Sequence, residues 1–218
     1  MAMDEIMGFL SKLEKNNNKA WFDKHRKEYE AAKAAYEAVV TELHAGLGKI
    51  EPAIADHKAK DAIFRIFRDV RFSKDKTPYK AHFGAAFSRG GRKAMDAGFY
   101  FHVEPGKSFL AGGMWIPDGP LLKKIRQEID YNFDEFKAII SNPKFKKHFK
   151  TIEGEQLKTL PQGYTADNPA IEYLKLKSFV VTTKLDDKDL ASKNAIPKVI
   201  EIFTVMKPLV DFLNRSLD

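Results

Sequence analysis

Residues 79–117 read YKAHFGAAFSRGGRKAMDAGFYFHVEPGKSFLAGGMWIP, and their period decides the fold. Over 79–88 every second side chain (Tyr79, Ala81, Phe83, Ala85, Phe87) falls on one face, the alternation of a half-buried strand. Phe99, Phe101 and Val103 alternate in the same way over 98–104. EPGKS from Glu104 is a turn, and SFLAGGMWIP from Ser108 supplies the next strand. An earlier run, residues 63–72, also alternates. Connections this short join antiparallel neighbours, whereas parallel strands need a crossover. The four runs therefore predict an antiparallel meander.

On both sides of the meander the period is 3.6. Residues 4–15 place Ile6, Phe9, Leu10 and Leu13 on one stripe. Asn18 is an N-cap for a second helix running through Trp21, Phe22, Tyr29 and Tyr36 to about Leu47, where Gly46 and Gly48 are expected to end it. After Asp118 come helical patterns at 119–129, 133–141, 143–149 and 168–176. A strand-like KSFVVTTKL follows, then a final helix from about Ile196 with Pro208 expected to kink or split it. The expected class is α+β: a central antiparallel β-meander flanked by N-terminal and C-terminal helices. No repeat or linker interrupts the chain, so 1–218 reads as one domain: helical over 1–60, sheet over 61–117, mainly helical over 118–218.

Composition narrows the functions. There is no cysteine, so disulfides, thiolate metal sites and cysteine nucleophiles are excluded. The opening MAMDEIMGFL does not read as a signal peptide, and no apolar run approaches the ~18 residues of a membrane span. The expectation is a cytoplasmic protein that does not enter a membrane, with its oligomeric state open. P-loop, Rossmann, HExxH, GxSxG, EF-hand and zinc patterns are missing, so no cofactor and no metal are expected, and whether the chain is an enzyme stays open.

The net charge of +7 lies in one place. Residues 65–93 hold nine basic and two acidic side chains, while residues 1–60 hold ten of each. A localised excess suggests a site for something anionic. Within it, Arg68 shares a strand face with Phe64, Ile66, Val70 and Phe72, where a guanidinium must find a partner. On the other face Asp69 can bridge Arg65 and Arg71 and fix their forks, a geometry that suits carboxylate or phosphate. Lys74, Lys76, Tyr79 and Lys80 follow in the next loop. If the strands align, Lys80, His82, Tyr100 and His102 share a polar face, with His82 and His102 as candidate acid–base groups titrating near neutral pH. Trp115 and the Gly112–Gly113 pair are expected at its rim.

Three functions fit these residues. The first is a site for a phosphate- or carboxylate-bearing small molecule on Arg65, Arg68, Asp69, Arg71, Lys74, Lys76, Tyr79 and Lys80. The second is a nucleic-acid-binding module using the same basic segment and the 88–93 loop. The third is a structural or interaction protein whose Arg–Asp network merely locks the sheet.

The string Arg65-x-x-Arg68-Asp69-x-Arg71-Phe72, followed by Asp75-Lys76-x-x-Tyr79, resembles the signature of a family of bacterial proteins labelled domain of unknown function 2461. NNNKAWF, GFYFHVEP, GGMWIP, LPQGY and LKLKSF also resemble segments of that family, so the likeness spans nearly the whole chain. The resemblance implies no particular reaction. It marks the charged positions as characteristic of the family, which favours the anion site over a purely structural network.

Overall fold

The structure, a computed structural model, describes residues 2–217. Helices α1 (Ala2–Lys15), α2 (Lys19–Lys24), α3 (Arg26–Ile50) and α4 (Pro52–Ala55) come first. Strands β1 (Phe83–Ser88), β2 (Gly98–Val103) and β3 (Phe109–Met114) follow as a meander. Then come α5 (Gly119–Tyr131), α6 (Phe133–Ser141), α7 (Pro143–His148), α8 (Ile171–Leu174), β4 (Phe179–Lys184), α9 (Asp187–Leu190) and α10 (Ala195–Asn214). The four strands form one antiparallel sheet in the order β1-β2-β3-β4. The class is α+β with helices before and after the sheet, as the change of period predicts.

Two compact units divide the described residues. One holds the chain up to Arg92 together with Tyr100–Leu110 and Lys184–Ile200; the other holds Lys93–Phe99, Ala111–Thr183 and the chain from Glu201.

In the first unit α1 buries Met3, Ile6, Phe9, Leu10 and Leu13 and packs on α3. At about 1.5–3 kcal/mol for each large apolar side chain buried, that stripe decides where α1 docks. Tyr36 of α3 is fully buried. Its ring stacks on Phe83 of β1 and Phe101 of β2, with centroids 5.0 and 6.0 Å away, and its hydroxyl donates to the Phe101 carbonyl at 3.3 Å. This fixes one face of β1 and β2 against α3 and turns Tyr100 and His102, the alternate residues of β2, to the other face.

In the second unit Phe99 meets Phe203 at 5.2 Å, and Phe136 meets Phe212 at 5.3 Å. Gly112 and Gly113 are needed here for packing: a Cβ on either would overlap Met206 or the Phe179 carbonyl. The close approach at Gly113 is that of the Phe179 backbone, and Trp115 beside the pair is exposed.

Several sequence expectations need correction. Residues 63–72 are not a regular strand. They touch the following segment through isolated bridges, Ile63–Ala85 and Phe67–Tyr79, and beyond Arg68 the chain closes into a loop, leaving Phe72 96% exposed. The long second helix is broken at His25, whose Nδ1 lies 2.8 Å from the Trp21 carbonyl and whose ring stacks on Trp21. Asn18 is the N-cap, accepting from the Trp21 N–H at 3.0 Å. Gly46 and Gly48 do not end α3 but lie inside it; a Cβ on Gly46 would overlap Ile200. Pro208 does not split α10, where buried Phe203, Met206, Leu209, Val210, Phe212 and Leu213 hold both sides of the proline in place.

Candidate functional site

Arg68 finds its partners within its own loop. Its Nη1 donates to the Asp75 carboxylate and the Thr77 hydroxyl, and Nη2 donates to Ser73 Oγ at 3.4 Å. The Thr77 N–H donates to Asp75 Oδ1 at 2.9 Å. The loop mouth is closed by the Arg68 N–H on the Pro78 carbonyl at 2.9 Å. The Thr77 N–H first, then Arg68, hold the Asp75 carboxyl down at about 2.

Other members of the basic segment are likewise engaged within the protein. Arg71 forks onto Asp69, Nε to Oδ1 at 3.0 Å and Nη2 to Oδ2 at 2.7 Å, which depresses the Asp69 carboxyl. Lys76 Nζ donates to the Val70 carbonyl at 3.0 Å. Tyr79 is buried and stacked on Phe22 at 4.0 Å, while its N–H and C=O bond the Asn17 side chain at 3.1 and 2.9 Å. Asp69 thus bridges one arginine, not two. Lys74 is exposed and far simpler: no ion pair among the described residues involves it.

Arg65 and Lys80 stand apart. Neither has an ion-pair partner among the described residues. Lys80 Nζ lies 5.5 Å from the Phe64 ring centroid, and the guanidinium of Arg92, from the 88–93 loop that the sequence assigns to nucleic-acid contacts, lies 4.9 Å from the same ring. Arg92 is anchored by its Nε on the Asp61 carbonyl at 2.8 Å. Burial, then the charges of Arg65, Arg92 and Arg68, push the Lys80 pKa down. Arg68 is paired with Asp75, but no carboxylate acts on Lys80 itself to oppose the shift.

Phe64 also meets Tyr100 edge-on at 6.0 Å, which carries this basic margin onto the polar face of β2. Tyr100, His102 and Glu104 occupy alternate positions there. Tyr100 Oη lies 3.1 Å from His102 Nδ1, and His102 Nε2 lies 3.0 Å from Glu104 Oε2. Lys107 Nζ donates to Glu104 Oε1 at 2.9 Å. This pattern gives His102 an Nε2–H that donates to Glu104 and an Nδ1 that accepts from Tyr100. His102 is 7% exposed and lies between the Phe109 ring at 4.5 Å and the His82 ring at 4.3 Å. A Cβ on Gly84 would strike Tyr100, so glycine makes the room this tyrosine occupies.

Both histidines are shifted below the ordinary imidazole value. Burial, reinforced by His102 and nearby cations, brings His82 down to about 4. Burial also lowers His102, against the pull of Glu104. Burial, with Glu104, lifts Tyr100 to about 12. Burial pushes Glu104 up as well, but bonds from Lys107 and His102 outweigh it and leave the carboxyl lowered. At neutral pH the face therefore carries neutral imidazoles, a protonated phenol and a carboxylate. Glu104 was missed in the sequence as a partner of His82 and His102, although its place two residues beyond His102 is the signal that puts it on the same face.

An antiparallel sheet with helices before and after it, a self-closed Arg–Asp loop and a polar face of His82, Tyr100, His102 and Glu104 define the class structurally. Residues 5–212 match the family described as conserved hypothetical protein, domain of unknown function 2461 (DUF2461), and the chain belongs to it. The comparisons with curated proteins and with solved structures find no match. Among the described residues no helix is long and apolar enough to cross a membrane.

Proposed function

We propose that the protein binds a small phosphate- or carboxylate-bearing molecule where Arg65, Lys80 and Arg92 surround Phe64. Lys80 carries the reading. It is half-buried, has no acidic partner among the described residues and is depressed by burial and three arginine charges. Such a cation destabilises the empty fold, and a bound anion offsets that cost. The guanidinium of Arg92 keeps its Nη donors unengaged among the described residues, so it can grip an oxyanion while Phe64 supplies an apolar wall. Arg68, Asp69, Arg71, Lys76 and Tyr79 then shape the neighbouring loop rather than touch the ligand. His82, neutral at pH 7, offers a hydrogen bond on the same side. A nucleic acid is the alternative occupant of this basic margin.

The test is thermal melting at low salt with sulfate, phosphate, nucleotides, sugar phosphates, dicarboxylates and a short oligonucleotide. A ligand at one hundred times its Kd stabilises by about 2.7 kcal/mol, or ~5–11 °C in a chain of this size. A rise with one class of small anion, absent from Arg65→Met/Lys80→Met, supports the reading. No rise with any small anion, or one that survives in the double variant, refutes it. A response to the oligonucleotide alone assigns the surface to nucleic acid.

A further inference from the structure

We propose that His82, His102 and Glu104 bind one divalent transition-metal ion on the polar face of β1 and β2. Each offers one ligand atom, and the three atoms all lie within 4.8 Å of one another. Two imidazoles and one carboxylate are a donor set suited to zinc or to ferrous iron, with positions left open for water or substrate.

The geometry that makes a hydrogen-bond network here also fits a metal. His102 Nε2 and Glu104 Oε2 are 3.0 Å apart. With metal–ligand bonds of about 2.1 Å, that separation subtends about 90° at the ion, a normal angle between adjacent ligands. Ligand atoms on one ion lie no more than about 4.2 Å apart, so a His82 movement of about 1 Å completes the set. His82 is free to make it: neither ring nitrogen has a hydrogen-bond partner among the described residues. His82 is thus a half-buried imidazole tilted against a second one 4.3 Å away, with both its nitrogens open to a ligand.

The surrounding groups hold the other two ligands in the orientation an ion needs. Tyr100 Oη, 3.1 Å from His102 Nδ1, accepts the Nδ1–H that His102 must carry once Nε2 binds metal. Lys107 holds Glu104 Oε1 at 2.9 Å, leaving Oε2 as the single carboxylate ligand, and Glu14 approaches Lys107 at 3.5 Å. Phe109 stacks on the His102 ring at 4.5 Å and fixes its plane. The site uses none of Arg65, Lys80 or Arg92 and shares only His82 with the proposed anion site, so it is tested by metal binding without any anion present.

The experiment is a calorimetric titration of the chelator-treated, untagged full chain with Zn2+, paired with Co2+ absorption spectroscopy to report coordination. The expected result is one ion per chain and a visible Co2+ spectrum. His82→Ala and Glu104→Gln should each weaken Zn2+ binding by more than the ~10–100-fold that losing an outer partner costs, and Tyr100→Phe by an amount within that range. His82 and Glu104 are only partly buried, and circular dichroism checks that both variants fold. Absence of a saturable site in the wild type, or equal affinity in wild type, His82→Ala and Glu104→Gln, overturns the proposal.

Discussion

Replacing Lys80 by methionine should make the ligand-free protein more stable. Methionine keeps most of the apolar stem and removes the charge. In the folded state that charge is half-buried and faces Arg65, Arg92 and Arg68, of which only Arg68 has a carboxylate of its own. Two like charges about 10 Å apart cost about 0.4 kcal/mol through water and several-fold more where protein displaces the water. Two unneutralised arginines and partial desolvation together make about 1–2 kcal/mol, screened by salt. The variant should therefore melt about 2–8 °C higher at low salt. The pH dependence has a definite sign. The folded pKa lies below the ordinary 10.5, so between the two values the unfolded chain binds more protons than the folded one, and stability rises with pH in that window. Differential scanning calorimetry at pH 7, with and without 0.2 M sulfate, is the assay. Sulfate should shrink the gap by stabilising the wild type more than the variant. A lower melting temperature for Lys80→Met would mean that the charge is satisfied in the empty protein, and the reasoning would fail.

Other consequences follow from particular contacts. The Asp75 carboxyl should titrate at about 2 by carboxyl carbon NMR; its contribution to stability is complete above the ordinary 3.8 and is lost as pH falls towards 2. In Arg68→Met that midpoint should rise and protease should cut the 69–78 loop faster, with no anion restoring protection; an unmoved midpoint would contradict the closure described for this loop. Tyr36→Ala removes a fully buried ring and its bond to the Phe101 carbonyl, and should cost about 3–5 kcal/mol in urea unfolding; a loss below about 1 kcal/mol would mean α3 does not fix the sheet. Gly84→Ala forces Tyr100 off His102 and should cost about 1–3 kcal/mol, which the same unfolding measurement would detect.

The alternation of β1, β2 and β3 was legible because a strand burying one face must show period two, whatever its neighbours. Residues 63–72 carry the same alternation and are not a strand, since Arg68 gains more from closing on Asp75, Thr77 and Ser73 than from extending. The break at His25 depends on one ring stacking on Trp21, which no helical period registers. Gly46 looks like a stop signal, but its role is to let Ile200 approach. For the site, the sequence placed Lys80, His82, Tyr100 and His102 on one polar face. It could not show that Arg71 takes Asp69 for itself, or that Arg92 reaches the Phe64 ring. Nor could it place His82 beside Glu104, because that neighbourhood depends on the register between adjacent strands.

The most direct test of the anion site is calorimetric titration of the wild type, Lys80→Met and Arg68→Met with the small anion that raises the melting temperature most. The account predicts at least a tenfold loss of affinity, about 1.4 kcal/mol, in Lys80→Met, and near-wild-type affinity in Arg68→Met once folded protein is selected. Full affinity in Lys80→Met with loss in Arg68→Met would contradict it and return the ligand to the loop that Arg68 organises.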